Sequence, residues 1–362
     1  MELFIGFSAA LLGTGVAIIY LRKLAPVLGL LDHPCDRKHH ADPVPLVGGL
    51  AVFAALCIAF LVLPAVRDQW PLLLAVAILV AVGVADDKHQ LRPSVRFAAQ
   101  IVACLVMIFV AGVELKSTGN LIGFGSIGLW VFSIPVTVFA VVGVINAVNM
   151  IDGIDGLAGT LSLVALAWYG GMAHLSGFIG LMTVAIMLCG ALAGFLVFNL
   201  RFPWQQKAQV FLGDAGSTLL GFVLAWMAVA LTQGPAGSVP PISALWVVLL
   251  PLADTVSLCA RRLRRGQSPF AASREHIHHL LLALGLTHAQ TLLALIVVSA
   301  VFGAVGFFGW RLGVPEPILF WTFVCLFVAY HFAVQAAWKR LIDRSPASVL
   351  SSRLGPASES AD

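Results

Sequence analysis

The 362-residue sequence contains few charged residues. Asp, Glu, Lys and Arg make up 10% of it, against about 25% in ordinary soluble proteins. Hydrophobic residues make up 60%, and the mean hydropathy is +0.98. A water-soluble globule cannot bury that much apolar surface, and disordered chains and fibres have other compositions. The composition therefore excludes these three classes and predicts a protein that lies mostly in lipid.

Paired cysteines and basic residues are also scarce. The six cysteines are scattered without a C-x-x-C pair, so we expect no disulfide framework and no thiolate metal site. The 21 Lys and Arg residues are few for a nucleic-acid-binding protein, and no nucleic acid is expected as a partner. The N-terminus lacks both a basic region and a small-residue cleavage site, which favours a retained first span over a removed signal peptide.

The sequence is rich in long apolar runs. Since a spanning helix needs about 20 largely apolar residues, we expect an all-α, polytopic integral membrane protein. About 11 transmembrane helices are predicted, within a range of about 10–12. Residues 1–342 are expected to form one transmembrane domain, and the Ser-, Ala- and Pro-rich residues 343–362 a disordered cytoplasmic tail. The expected spans are 3–21, 46–66, 71–86, 97–114, 129–148, 158–176, 178–198, 217–233, 241–260, 291–310 and 317–338.

The basic residues indicate how the chain is oriented. If the N-terminus is outside, the inner segments hold 18 of the Lys and Arg residues and the outer segments hold 3. By the positive-inside rule this asymmetry predicts an external N-terminus and a cytoplasmic C-terminus. Most Asp and His residues fall on the same inner side, where a charged, water-soluble substrate would arrive.

Two adjacent acids follow the third apolar run. Asp86 and Asp87 come after about 15 apolar residues. Carboxylates at such a position repel each other and are costly near lipid, unless a cation or a network of donors satisfies them. A functional site is one interpretation, and a solvated loop start with Lys88 and Arg92 as local partners is the other.

A polar stripe follows in the segment INAVNMIDGIDGLAG. Asn146, Asn149, Asp152 and Asp155 recur every three residues, which places them on one face of a helix. The glycines in this segment loosen the backbone, so we expect the stripe to end in a turn. Four polar side chains at the end of a span favour a hydrated metal, a nucleotide or a sugar as a ligand. The alternative is a water-lined helix end.

A third acidic motif is FLGDAGSTLLGF. Asp214 lies between Gly213 and Gly216, just before a span, and small neighbours let a phosphate approach closely. A lone accessible carboxylate suits Mg²⁺, which takes few protein ligands and keeps waters or phosphate oxygens. Asp214 and Ser217 are equally compatible with an N-cap pair, but the other acids on this side favour the metal.

Basic side chains are concentrated in two inner loops. The arginines are also typical of topology signals or anchors for anionic lipid. No Cys or further His lies at a spacing that would complete a transition-metal site, so the histidines are interpreted as donors to phosphate or hydroxyl groups. The residues are Arg37 and Lys38 in the first loop, and Arg261, Arg262, Arg264, Arg265, Arg274, His276, His278 and His279 in the second.

These segments, in this order from Leu31 to about Gln290, resemble the polyprenyl-phosphate N-acetylhexosamine-1-phosphate transferases, glycosyltransferase family 4. The motifs DDxxxLxPxxRF, NAxNxxDGxDGLAG, FLGDxGS and HIHH carry the resemblance. The HIHH segment is most similar to the bacterial branch that uses UDP-GlcNAc, and it differs from the branch that uses the muramyl-pentapeptide donor.

The resemblance implies transfer of GlcNAc-1-phosphate from UDP-GlcNAc to undecaprenyl phosphate, with Mg²⁺ as cofactor and Mn²⁺ as a substitute. The reaction would be the first lipid-linked step of an envelope polysaccharide, such as O-antigen or common antigen, on the cytoplasmic face of a bacterial inner membrane. Membrane lipid is a further expected partner, and a homodimer is compatible with the family. Another UDP-N-acetylamino sugar is the alternative donor, and a nucleotide-sugar or lipid transporter is the alternative class.

The resemblance and the polar patterns together assign roles to residues. Asp86 and Asp87 are the catalytic candidates, and Asp214 and Asn149 are the metal candidates. The substrate-binding candidates are Lys38, Asn146, Asp152, Asp155, Arg265, Arg274, His276, His278 and His279.

The expected chemistry is direct phosphoryl transfer. A phosphate monoester has a second pKa near 6, so the lipid phosphate is mostly a dianion at neutral pH and gains little from a general base. We therefore expect Asp86 and Asp87 to act by positioning. The alternative is a two-step path in which one of them is a covalent nucleophile.

Overall fold

The chain is largely helical over residues 2–33, 42–234, 239–268 and 275–344, which the computed structural model describes. Two short strands, β1 (Leu31–Asp32) and β2 (Val44–Pro45), pair antiparallel. The helices are α1 (Glu2–Leu28), α2 (Gly48–Val62), α3 (Trp70–His89), α4 (Pro93–Phe109), α5 (Ser133–Ile151), α6 (Leu157–Leu175), α7 (Ile179–Asn199), α8 (Gly213–Thr232), α9 (Pro241–Val247), α10 (Leu249–Arg264), α11 (Ile277–Ala283), α12 (His288–Arg311) and α13 (Glu316–Arg344). Short 3₁₀ turns, Pro64–Gln69 and Trp130–Phe132, precede α3 and α5.

The helices confirm the expected all-α, multi-pass architecture. Seven of the described helical segments are long and apolar enough to cross a membrane, and α9 with α10 makes an eighth if this pair, bent by 80°, is one span. The shorter apolar helices α2 and α4, together with α6, lie at the remaining expected spans. The count of eleven and the external N-terminus stay predictions. The predicted tail lies outside the described residues from position 345 onward.

Helix α8 is central to the bundle because glycines let three other helices approach it closely. Gly49 of α2, Gly83 of α3 and Gly221 of α8 each lie where an added Cβ would meet backbone atoms of the facing helix. At Gly221 that atom is the Cα of Ile145 in α5, at 2.6 Å. Such contacts fix the position of α8 through its backbone, since no side chain separates the helices.

Backbone hydrogen bonds hold the chain at the N-terminal end of α8. The Gly48 and Gly49 N–H groups donate to the carbonyl oxygens of Phe211 and Leu212, both at 2.9 Å. The Phe211 N–H donates to the Pro45 carbonyl oxygen, also at 2.9 Å. The short β1–β2 pair and the start of α2 therefore determine where α8 begins.

The polar stripe of α5 is interrupted by the end of the helix. Asn146 and Asn149 lie on α5, but the helix ends at Ile151. Asp152 and Asp155 lie in the turn that leads to α6, and Gly156 enters α6 with a φ of +84°. The prediction that the stripe ends in a turn is confirmed, but only half of the stripe shares a helix face.

The contact between α5 and α8 predicts opposite effects for two glycine-to-alanine changes. Gly221→Ala forces a Cβ against the Ile145 backbone, and overpacking of this kind typically costs about 1–3 kcal/mol. Gly143→Ala, in α5, places its Cβ in open space and is expected to be neutral or to stabilise by about 0.5–1 kcal/mol. Thermal unfolding in detergent measures both. Equal melting temperatures for the two variants would contradict the packing described.

Candidate active site

Asp87 caps the N-terminus of α8 from a different helix. Its Oδ1 accepts the Asp214 N–H at 2.9 Å, and its Oδ2 accepts the Ala215 N–H at 3.4 Å. A carboxylate at this end of a helix also interacts favourably with the helix dipole. Gly213 turns into the helix with a φ of +72°, and a Cβ there would lie 2.5 Å from the Asp87 carboxylate. The cap therefore comes from α3 and leaves the Asp214 side chain available.

Asp86 is buried and is paired with an arginine of the next helix. Its Oδ1 accepts the Leu91 N–H at 2.7 Å, and Arg96 Nη1 donates to its Oδ2 at 3.1 Å. The same Arg96 nitrogen lies 4.0 Å from Asp214 Oδ2. The partner of Asp86 is thus Arg96, the arginine of the DDxxxLxPxxRF motif, rather than Lys88 or Arg92.

The two asparagines of α5 have different partners. Asn149 Nδ2 donates to Asp214 Oδ1 at 2.6 Å and to Ser217 Oγ at 2.8 Å. Asn146 Nδ2 donates to Gln100 Oε1 at 2.8 Å. Asn149 therefore joins the carboxylate group at the start of α8, and Asn146 lies about one turn earlier in α5, beside α4.

A cavity of about 360 Å³ brings the acidic and basic motifs together. This volume lies within the usual range for small-molecule sites, about 300–1,000 Å³. Apolar side chains of α3 and α4, such as Leu79 and Phe97, form part of its wall. The predicted site residues that line it are Asp86, Asn146, Asn149, Asp214, His276, His278 and His279.

The histidines at the start of α11 form a buried stack. The rings of His276 and His278 are nearly parallel, with centroids 5.6 Å apart, and His279 lies 4.2 Å from His278. His278 is fully buried, and neither ring nitrogen has a hydrogen-bond partner among the described residues. Burial first, and then His279 and His276, hold the pKa of His278 well below its usual range. His278 is therefore neutral at pH 7, with hydrogen-bonding capacity left for a ligand.

Four described residues of the predicted site do not line the cavity: Asp87, which caps α8, and Asp152, Asp155 and Arg265. Asp155 Oδ2 accepts from Arg201 Nε at 2.6 Å, and Arg265 Nη1 donates to Glu275 Oε1 at 2.6 Å. Asp152, at the end of α5, keeps exposed surface although many protein atoms surround its carboxyl group. Desolvation by these atoms raises the pKa of Asp152 to about 7, with smaller effects of the Asp214 and Asp155 carboxylates.

Lys38 and Arg274 lie outside the described residues, in 34–41 and 269–274. Their assignment as substrate-binding residues stays a prediction.

Three lining or supporting residues were missed by the sequence reasoning. Arg96 and Arg262 line the cavity, and buried Asp254 contacts His276. A helical spacing of seven to eight residues separates Asp254 from Arg261 and Arg262, all three buried, whereas Arg264 and Arg265 are exposed. That helical periodicity is the sequence signal that distinguishes Arg261 and Arg262 from the exposed arginines.

The acidic end of the cavity is suited to a divalent cation for which the protein supplies few ligands and a substrate supplies others. Within the described ranges, no three His, Cys, Asp or Glu side chains are placed to hold a metal by themselves. Asp214 has a side chain that is 34% exposed and lines the cavity. One accessible carboxylate with an adjacent amide suits Mg²⁺, which usually binds through one or two carboxylates plus phosphate oxygens and waters.

The chain is similar to known proteins over most of its length. It is 37% identical to the undecaprenyl-phosphate alpha-N-acetylglucosaminyl 1-phosphate transferase of Haemophilus influenzae over 91% of this chain and 93% of that protein. It is 38% identical to the protein of the same name from Yersinia pestis, over 88% and 87% of the two chains. The same-named protein of Escherichia coli K12 is 35% identical, over 90% and 89%.

The sequence model described as Glycosyl transferase family 4 matches residues 69–232. This stretch runs from the start of α3 to the end of α8 and contains the three acidic motifs. By this match and by its similarity to the three transferases, the chain belongs to glycosyl transferase family 4.

Proposed function

We propose that this protein is a phosphoglycosyltransferase that moves GlcNAc-1-phosphate from UDP-GlcNAc to undecaprenyl phosphate. The single observation that carries the proposal is the cavity, which is lined by the carboxylates beside α8 and by the histidines and arginine of α10 and α11. The names of the relatives, which specify undecaprenyl phosphate and N-acetylglucosaminyl 1-phosphate, support the two substrates.

The two substrates differ in where they come from, and the cavity suits both. Leu79, Val82 and Phe97 offer apolar contacts to the first part of a lipid chain. The basic side chains offer donors to a nucleoside diphosphate sugar. The excess of Lys and Arg in the inner segments, 18 against 3, supports a cytoplasmic site, since basic residues favour that side.

The reaction is an in-line displacement at phosphorus. An oxygen of the lipid phosphate attacks the phosphorus that carries the sugar, and the bond from that phosphorus to the bridging oxygen breaks. UMP leaves with the electron pair, so the sugar C1–O bond stays intact and its configuration is kept. Such reactions depend on alignment and charge neutralisation more than on covalent chemistry.

Different residues of the cavity would bind the diphosphate, neutralise charge and hold the metal. The Arg262 guanidinium and the histidine stack lie where they can donate hydrogen bonds to the diphosphate. Arg96 neutralises Asp86 and lies near Asp214, so the lipid phosphate meets fewer uncompensated negative charges. Asp214 and Asn149 would hold Mg²⁺, which when bound supplies positive charge to the diphosphate and to the departing UMP.

The hydrogen bonds of the acidic pair favour direct attack over a covalent intermediate. Both oxygens of Asp87 accept N–H groups of α8, and both oxygens of buried Asp86 accept from Leu91 and Arg96. Each of these donors withdraws electron density from the carboxylate oxygens and makes them weaker nucleophiles. In this proposal the pair positions α8 and Arg96, and the lipid phosphate is the nucleophile.

The product would be the first lipid-linked intermediate of an envelope polysaccharide, such as O-antigen or common antigen, in a bacterial inner membrane.

The donor is tested with purified protein, undecaprenyl phosphate, Mg²⁺ and a labelled sugar nucleotide. We expect labelled lipid product from UDP-GlcNAc and none from UDP-MurNAc-pentapeptide. Transfer from the pentapeptide donor alone would overturn the donor and keep the reaction class. Failure with a panel of UDP-N-acetylamino sugars, together with transport of one across a vesicle membrane, would favour the transporter class.

The metal is tested by chelation and by substitution. EDTA is expected to abolish transfer and added Mg²⁺ or Mn²⁺ to restore it. Asp214→Asn should lower kcat by about 100-fold or more, as loss of one charge-stabilising group does in other active sites. Asp68→Asn makes the same chemical change at an exposed position outside the cavity and should leave kcat unchanged. Full activity in EDTA, or in Asp214→Asn, would contradict the metal assignment.

Direct attack predicts that UMP release requires the lipid. Incubation with UDP-GlcNAc and Mg²⁺ alone should give no burst of UMP and no labelled protein. A burst equal to the amount of enzyme, with the sugar phosphate bound to the protein, would instead establish the aspartyl intermediate.

A further inference from the structure

A buried carboxylate outside the acidic motifs holds the first histidine of the stack. Asp254 of α10 is only 1% exposed. Its Oδ2 lies 2.6 Å from His276 Nδ1, and its Oδ1 accepts the Ile277 N–H and the Tyr330 hydroxyl, both at 2.9 Å. A charged group in the protein interior is costly unless its hydrogen bonds are satisfied, and here both oxygens are bonded.

These contacts determine which nitrogen of His276 meets a ligand. Nδ1 is used by Asp254, so Nε2 is the nitrogen left for the cavity that the ring lines. A carboxylate on Nδ1 holds the imidazole in one tautomer and one orientation. The Ile277 bond ties the backbone of the next residue to the same carboxylate, so ring and chain are fixed together.

The last helix supports this arrangement from the other side. Tyr330 of α13 donates to Asp254, and Trp338 Nε1, also on α13, donates to the Glu275 carbonyl oxygen at 3.2 Å. Arg261 Nη2 donates to the same carbonyl oxygen at 2.8 Å. Side chains of α10 and α13 thus bond to the backbone of Glu275, and α13 also bonds to the Asp254 carboxylate.

We propose that Asp254 is a positioning residue that orients His276 so that Nε2 donates a hydrogen bond to the diphosphate of the sugar nucleotide, and that Tyr330 holds Asp254 in place. This inference rests on the function proposed above. It adds a supporting group that lies beyond the matched family segment 69–232, on helices that carry none of the acidic motifs.

Such a role differs from that of a purely structural contact in what it predicts. If Asp254 acts through His276, the loss of the Asp254 carboxylate lowers kcat. The same loss lowers kcat no further in a variant that already lacks His276 Nε2. If Asp254 only joins α10 to α13, its loss lowers stability and combines additively with a change at His276.

The test compares Asp254→Asn, His276→Asn and the double variant in the lipid-product assay. The change His276→Asn can keep a donor toward Asp254 while it removes Nε2. We expect Asp254→Asn to lower kcat by about 10- to 100-fold, the usual effect of losing such a supporting bond, with KM for undecaprenyl phosphate unchanged. The double variant should match His276→Asn within about twofold.

Two further variants provide a second test and a control. Tyr330→Phe, which removes one hydroxyl, should lower kcat in the same direction by a smaller factor, and it remains informative if Asp254→Asn does not fold. Glu316→Gln removes a negative charge at the far end of α13, where the carboxylate accepts the Asn120 N–H, and should keep full activity. Full activity of Asp254→Asn, or additive losses in the double variant, would overturn the proposal.

A second measurement separates this inference from the proposed reaction. Hydrogen–deuterium exchange of the peptide 275–283 should rise in Asp254→Asn and stay as in the wild type in His276→Asn and Glu316→Gln. If the wild type transfers no sugar phosphate, the proposed function fails, and unchanged exchange in Asp254→Asn would overturn the positioning role as well. Raised exchange would support the positioning of His276 for another ligand.

Discussion

The bond between the Asp87 carboxylate and the first N–H groups of α8 is the interaction on which the acidic end of the site depends. It joins α3 to α8 at the point where Asp214 begins its helix. Because Asp87 supplies the cap, Asp214 keeps its side chain for the cavity. The glycine contacts of α2 and α3 bring the helices close enough for this bond to form. A carboxylate that looks catalytic in the sequence is thus also the group that orients another carboxylate.

The cavity has carboxylates on one side and basic or neutral donors on the other. The acids near α8 are compensated by Arg96 and by backbone donors, which limits the repulsion that two phosphate-bearing substrates would meet. The opposite set consists of Arg262 and the histidines, and His278 stays neutral there because it is buried beside two other imidazoles. The repulsion between two phosphate-bearing substrates is lower where both kinds of group are already in place. Arg262, His276 and His278 are buried before the substrates enter, so little solvent has to reorganise around them.

Much of the fold and part of the site could be predicted from local sequence. Apolar runs of spanning length predict every helix except the short α11, although the run 241–260 forms two helices, α9 and α10, bent by 80°. The spacing of acids and histidines predicts the segments that meet at the cavity. The partners of these residues could not be predicted in the same way. That Asp87 caps α8, or that Asp254 bonds to His276, depends on how helices distant in sequence pack. Arg262 and Arg265 could not be separated by composition, since Arg262 is buried by the face of α10 on which it lies and Arg265 is exposed beyond the end of that helix.

The glycines around α8 have a consequence for how the protein can adapt to different sugars. Where backbone meets backbone, there is no side chain whose rotamer can change, so α2, α3, α5 and α8 cannot adjust to a new ligand by local repacking. The histidine segment is held by side-chain hydrogen bonds to α10 and α13 instead. Substitutions there can reshape the pocket without disturbing the helix core. Divergence in donor choice among related proteins is therefore expected to accumulate on the histidine side, while the carboxylate side stays constant in geometry.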